Sequence, residues 1–66
     1  MTKEQAIYLM QQGKKITHEN FDDNEWITMQ DNNIVTEEGY SVPSIKFWSY
    51  RENEWWDKGY SIFIKK

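Results

Sequence analysis

The chain has no cysteine, one histidine, one proline and three glycines in 66 residues. Without cysteine it can form neither disulfides nor thiolate metal sites, which fits a reducing compartment. The single histidine, His18, cannot build a zinc site alone. Long apolar runs are missing too. The opening "MTKEQAIYLMQQGKK" is broken by charges and glutamines, and nothing approaches the roughly 20 residues that span a bilayer. It also lacks the pattern of a signal peptide, so an intracellular, cytoplasmic protein is expected. A basic excess is absent as well: the net charge is −3, with acids clustered in "ENFDDNE" and "RENEWWD". That balance disfavours binding to a nucleic-acid backbone. Its simplest reading is a solubilising surface; the functional one is an acidic surface that occupies a protein's nucleic-acid-binding groove.

A chain of this length makes one small domain, 1–66, and buries only about 60% of the surface its unfolded form exposes. Small folds recruit disulfides, a metal or a partner subunit. With the first two unavailable, aromatic packing and self-association remain, and a homo-oligomer is expected.

Thr2-Lys3-Glu4-Gln5 reads as a capping box, followed by Ala6, Ile7, Leu9 and Met10 at helical spacing. Gly13 suits the position after a helix end, so residues 3–12 are predicted helical. The apolar period then changes to about two. Short strands are predicted at 15–18, 26–29, 34–36 and 40–42, with "QDNN" as a hairpin turn and Glu38-Gly39 as a second. Pro43 has no N–H for a ladder, which places its strand at an edge or ends it there. Residues 44–50, "SIKFWSY", contain no turn residue and read as a further strand. Lys58-Gly59 turns the chain into a closing strand with Tyr60, Ile62 and Ile64 on one face. The expected fold class is α+β: one N-terminal helix followed by a small, mainly antiparallel sheet of four to five strands.

Catalytic signatures are absent: no Gly-rich phosphate loop, no Ser-His-Asp arrangement, no metal-ligand spacing. His18 near Glu19, Asp22 and Asp23 suggests a general base, but a lone histidine at a strand end reads first as an ordinary surface residue. "DDNE" and "DNN" lack the alternating acids, central Gly and distal Glu of a calcium loop. No catalytic residue, metal or cofactor is therefore assigned, and the protein is expected not to be an enzyme. The aromatics carry more. "WSYRENEWWDKGY" holds three of the four tryptophans. Core packing is their first reading, at roughly 150–250 Å² per ring. If these stretches are extended, one member each of Phe47-Trp48 and Trp55-Trp56 must face outward. Outward Trp and Tyr are favoured interface anchors, so Trp48, Tyr50, Trp55 and Trp56 are the candidate partner-binding residues.

"EQAIYLMQQGKKITHENF" resembles the opening of a family of small phage and prophage proteins that includes the Thoeris anti-defence proteins. Its members begin with a short helix ending in Gly-Lys-Lys and continue through a basic strand and a hairpin. They close on an acidic-aromatic segment that leads into a final strand, here "EWWDKGYSIFI". The resemblance implies a phage-type, non-enzymatic counter-defence protein in a bacterial cytoplasm. Such proteins assemble into oligomers and sequester a cyclic ADP-ribose-type or cyclic-dinucleotide immune signal. Carried over, it gives Lys14, Lys15, Phe21 and Tyr60 as ligand-binding residues. For the sequestering role the phosphate partner is expected to be Lys14, Lys15 or, outside the residues carried over, Arg51. Phe21 stands where a tryptophan is usual, Thr17 and His18 replace a basic pair, and the central insertion of larger members is missing. A second role drawn from the same resemblance is a protein-binding inhibitor. Its aromatic-acidic surface would plug a host defence enzyme or CRISPR effector, in the manner of an anti-CRISPR protein.

Overall fold

Thr2 opens the first helix through reciprocal bonds with Gln5. Its hydroxyl accepts from the Gln5 amide at 3.3 Å, and the Gln5 side-chain oxygen accepts from the Thr2 amide at 2.9 Å. This capping box starts α1, Lys3–Gln11, in the computed structural model, which describes residues 1–64. At the other end Gly13 turns left-handed (φ 86°). Its amide donates to Met10 and that of Lys14 to Leu9, the paired bonds of a Schellman motif that satisfy carbonyls the helix would otherwise leave open.

Five strands follow: β1, Ile16–His18; β2, Ile27–Gln30; β3, Asn33–Thr36; β4, Ser41–Pro43; and β5, Tyr60–Ile62. They form one sheet in the order β4-β3-β2-β1-β5, antiparallel at every pairing. The α+β architecture expected above is the one observed. Asp31 and Asn32 join β2 to β3 with positive φ (53° and 66°), a two-residue turn whose twist matches that of the strands. Pro43 ends β4, and β4 is an edge strand. Its missing N–H therefore costs no ladder bond.

Residues 44–50 depart from expectation. They form a second helix, α2, Ser44–Ser49, in place of a strand. Ser44, Phe47, Trp48 and Arg51 are turned inward, while Ile45, Lys46, Ser49 and Tyr50 are exposed. Inward positions at i, i+3, i+4 and i+7 are the helical period. Six residues of mixed aromatic and β-branched character are too few for that period to stand out from a strand. Helical geometry also removes the premise that Phe47 and Trp48 must face opposite ways. Phe47 is buried, and Trp48 packs against the same core.

The two helices cover one face of the sheet. Ile16, Ile27 and Ile34 project from that face and meet Ala6 and Met10 of α1, Phe47 of α2 and Tyr60 of β5. The pairings Ile16↔Ile27 and His18↔Tyr60 place these side chains together on it. The outer face carries Thr17, Thr28, Val35 and Ser61, with Trp26, Phe63 and Lys15 gathered at one corner. Among the described residues, no helix is long and apolar enough to cross a membrane.

Candidate functional site

The segment 53–60 is held from behind by hydrogen bonds to its backbone. Asn53 caps a single 3₁₀ turn, Glu54–Trp56, its side-chain oxygen accepting from the Trp55 amide at 3.1 Å. The Tyr60 hydroxyl donates to the Trp56 carbonyl at 2.6 Å. The Lys3 amide donates to Asp57 at 2.9 Å, and Thr2 bridges Lys58.

His18 supplies the remaining tie. It is only 3% exposed, a correction to the surface residue expected from its place at a strand end. Its Nδ1 accepts from the Asn20 amide at 3.0 Å, so the other nitrogen, Nε2, carries the proton and donates to the Lys58 carbonyl at 2.8 Å. Around the imidazole stand Trp56, Tyr60 and Phe21, with ring centroids at 4.5, 4.6 and 5.8 Å. Both ring nitrogens are thus engaged by the backbone, and the ring packs like a core aromatic. Burial pushes the Tyr60 hydroxyl up to about 12; the Arg51 charge opposes that shift and the Asp57 charge adds to it.

In front of this frame lies a cleft of about 530 Å³ lined by Glu19, Glu54, Trp55, Asp57 and Lys58. Trp55 is 67% exposed there. Its neighbour Trp56 is half-buried against His18 and Phe21. Glu19 enters from the end of β1 because Gly59 leaves it room: a Cβ at residue 59 would lie 2.8 Å from the Glu19 side chain. The φ of +97° at Gly59 also favours glycine. Glu19 is fixed beside it by donating its amide to the Gly59 carbonyl at 3.1 Å. The cleft is therefore lined by three acidic residues and one lysine together with the exposed Trp55. No three acidic or histidine side chains among the described residues are placed to share a metal ion. What this arrangement can do is hold an extended cation, with the charge among the carboxylates and its apolar stem on the ring.

The candidate ligand residues occupy different places. Tyr60 and Phe21 are built into the cluster around His18. Arg51 is stacked over Phe47 at 3.9 Å and Trp56 at 5.2 Å, its Nη1 donating to the Phe47 carbonyl at 3.2 Å. Lys15 lies on the outer face of the sheet, its Nζ 4.5 Å above the Trp26 ring. Lys14 is exposed in the turn between α1 and β1. Within one chain the two lysines do not meet Arg51, Phe21 and Tyr60.

Of the candidate partner-binding residues, Trp55 and Tyr50 are exposed. Trp48 faces inward, 4.9 Å from Phe47 and 6.2 Å from Tyr60, with the Lys3 ammonium 5.4 Å over its ring. Sequence reasoning missed Glu19, Glu54, Asp57 and Lys58 as site residues. "NEWWDK" shows three of them beside the tryptophans; Glu19 carries no such sign. Comparison with protein-family models, curated proteins and solved structures finds no match for this chain.

Proposed function

We propose that this chain is a non-enzymatic binding protein that captures a basic segment of a protein partner. Of the two roles drawn from the phage-family resemblance, this is the protein-binding inhibitor of a host defence enzyme or CRISPR effector. The observation that carries the reading is the Trp55 cleft, where an exposed indole stands among Glu19, Glu54 and Asp57. A lysine or arginine side chain matches it in both parts: the methylenes lie on the ring and the cation sits among the carboxylates. Because the 53–60 segment is already fixed by His18, Tyr60, Asn53 and Lys3, little ordering is needed on binding.

Calorimetry with an oligo-lysine or oligo-arginine peptide tests this directly. Saturable binding is expected, weakening as salt is raised from low to physiological strength. Trp55→Ala is expected to cost at least tenfold in affinity. Glu54→Gln combined with Asp57→Asn is expected to lower it further and to flatten the salt dependence. Binding that Trp55→Ala leaves unchanged would remove the cleft from the proposal. Heat from cyclic ADP-ribose with none from basic peptides would point to the sponge role.

A further inference from the structure

β5 is the last strand of the sheet, and its outer edge is only partly covered. The amide of Phe63 donates inward to Lys15, and that of Glu19 donates to Gly59. Residues 59 and 63 therefore face β1, Tyr60 and Ile62 of β5 turn their backbone groups outward, and Ile64 follows two residues beyond the strand's end. Met1 takes those of Tyr60: the terminal amine donates to the Tyr60 carbonyl at 2.9 Å, and the Tyr60 amide points back at the Met1 carbonyl at 3.4 Å. Beyond that point, among the described residues, no strand or bridge pairs with the edge at Ile62. The side chains of Ile62 and Ile64 are 48% and 78% exposed. Met1, which meets β5 at Tyr60, also bounds an apolar groove of about 530 Å³ with Gln5, Tyr8 and Leu9, and Glu4 on its wall. Tyr8 is 62% exposed.

We propose that this edge pairs with the same edge of a second copy, antiparallel about a two-fold axis through Phe63, to give one continuous ten-stranded sheet. An open row of N–H and C=O groups specifies an extended strand as its occupant. The register follows from which residues point outward. Ile62 pairs with Ile64 of the copy through backbone bonds, and Phe63 stands opposite its own counterpart in a non-hydrogen-bonded position. Both faces of the new pair are then matched. On the helix side the isoleucines lie together beside Tyr8 and Met1. On the outer side the Trp26–Phe63 contact, 6.3 Å between centroids, continues into the Phe63 and Trp26 of the copy.

Size agrees with this occupant. The four exposed apolar side chains offer roughly 500 Å² per chain. A two-fold contact then removes about 1,000 Å² before Phe63 and the backbone are added, close to the lower bound of stable interfaces. Such a dimer would carry two Trp55 clefts, so a partner with repeated basic segments would be held by both.

Three measurements on the full chain test the pairing. In sedimentation equilibrium the wild type is expected at twice the chain mass at micromolar concentrations. Ile64→Pro removes an outward amide and leaves the bonds to β1 intact. It is expected to sediment as a monomer with an unchanged circular dichroism spectrum. The register is read separately with Phe63→Cys, because the chain has no other cysteine. Directly opposed residues at a non-hydrogen-bonded position sit about 5 Å apart between Cβ atoms. Mild oxidation should therefore give a covalent dimer far above the yield from Ser49→Cys on exposed α2. A wild type that stays monomeric, a dimer indifferent to Ile64→Pro, or equal cross-linking of the two cysteine variants would each overturn the proposal.

Discussion

His18 shows how one side chain can join segments 40 residues apart in the sequence. Its ring fills a space between Phe21, Trp56 and Tyr60, while its nitrogens bind the backbone of Asn20 and Lys58. His18→Ala opens a cavity and leaves the Lys58 carbonyl without its donor. It is expected to destabilise the fold by about 2–4 kcal/mol, read from urea denaturation. Tyr60 gives a pH signature. Its hydroxyl is pushed up to about 12, so folding favours the neutral form over the ordinary value of 10.0. The stability this contributes is complete below pH 10 and is lost as pH rises through about 12. Comparing denaturation midpoints of wild type and Tyr60→Phe between pH 9 and 12 checks it. The variant should start about 1 kcal/mol lower, for the lost bond to Trp56, and should fall less steeply across that range. Gly59→Ala forces a side chain into a left-handed position and against Glu19. A loss of about 1–2 kcal/mol is expected, together with weaker binding of basic peptide as the carboxylate is displaced.

The elements with local instructions are the ones the sequence makes readable. The start and end of α1 rest on bonds within five residues, through Thr2, Gln5, Gly13 and Lys14. Thr2→Ala should accordingly cost about 1 kcal/mol by thermal or urea denaturation. The β2–β3 turn rests on two residues that tolerate positive φ. Asn32→Gly relieves the remaining side-chain strain there and is expected to raise stability by several tenths of a kcal/mol. α2 is different. Nothing within "SIKFWSY" outweighs its strand-like composition, and the helix exists because Phe47 and Trp48 can then pack together against the core. Tertiary contact decides a six-residue element when local preference is this slight.

Across the whole molecule the charges and rings are sorted by depth. Ile16, Ile27, Ile34, Met10 and Phe47 form the apolar centre. His18, Phe21, Trp56, Tyr60 and Arg51 make an aromatic frame at one end, and Trp55 with its carboxylates stands outside it. The proposed edge pairing would add support to a small domain that has no cysteine for a disulfide.

From composition and spacing alone came the α+β class, the capped helix and both β-turns. Each is written in residues a few positions apart, through side-chain caps, left-handed turn residues and apolar periods of 3.6 or two. The burial of His18, the arrival of Glu19 beside Trp55 and the separation of Lys15 from Tyr60 were fixed by how β1 lies against β5. That register joins residues 16–18 to residues 60–62, and it follows from packing the inward side chains of both strands under α1. No pattern inside either segment specifies it, because its energy comes from contacts that exist only once the sheet has closed.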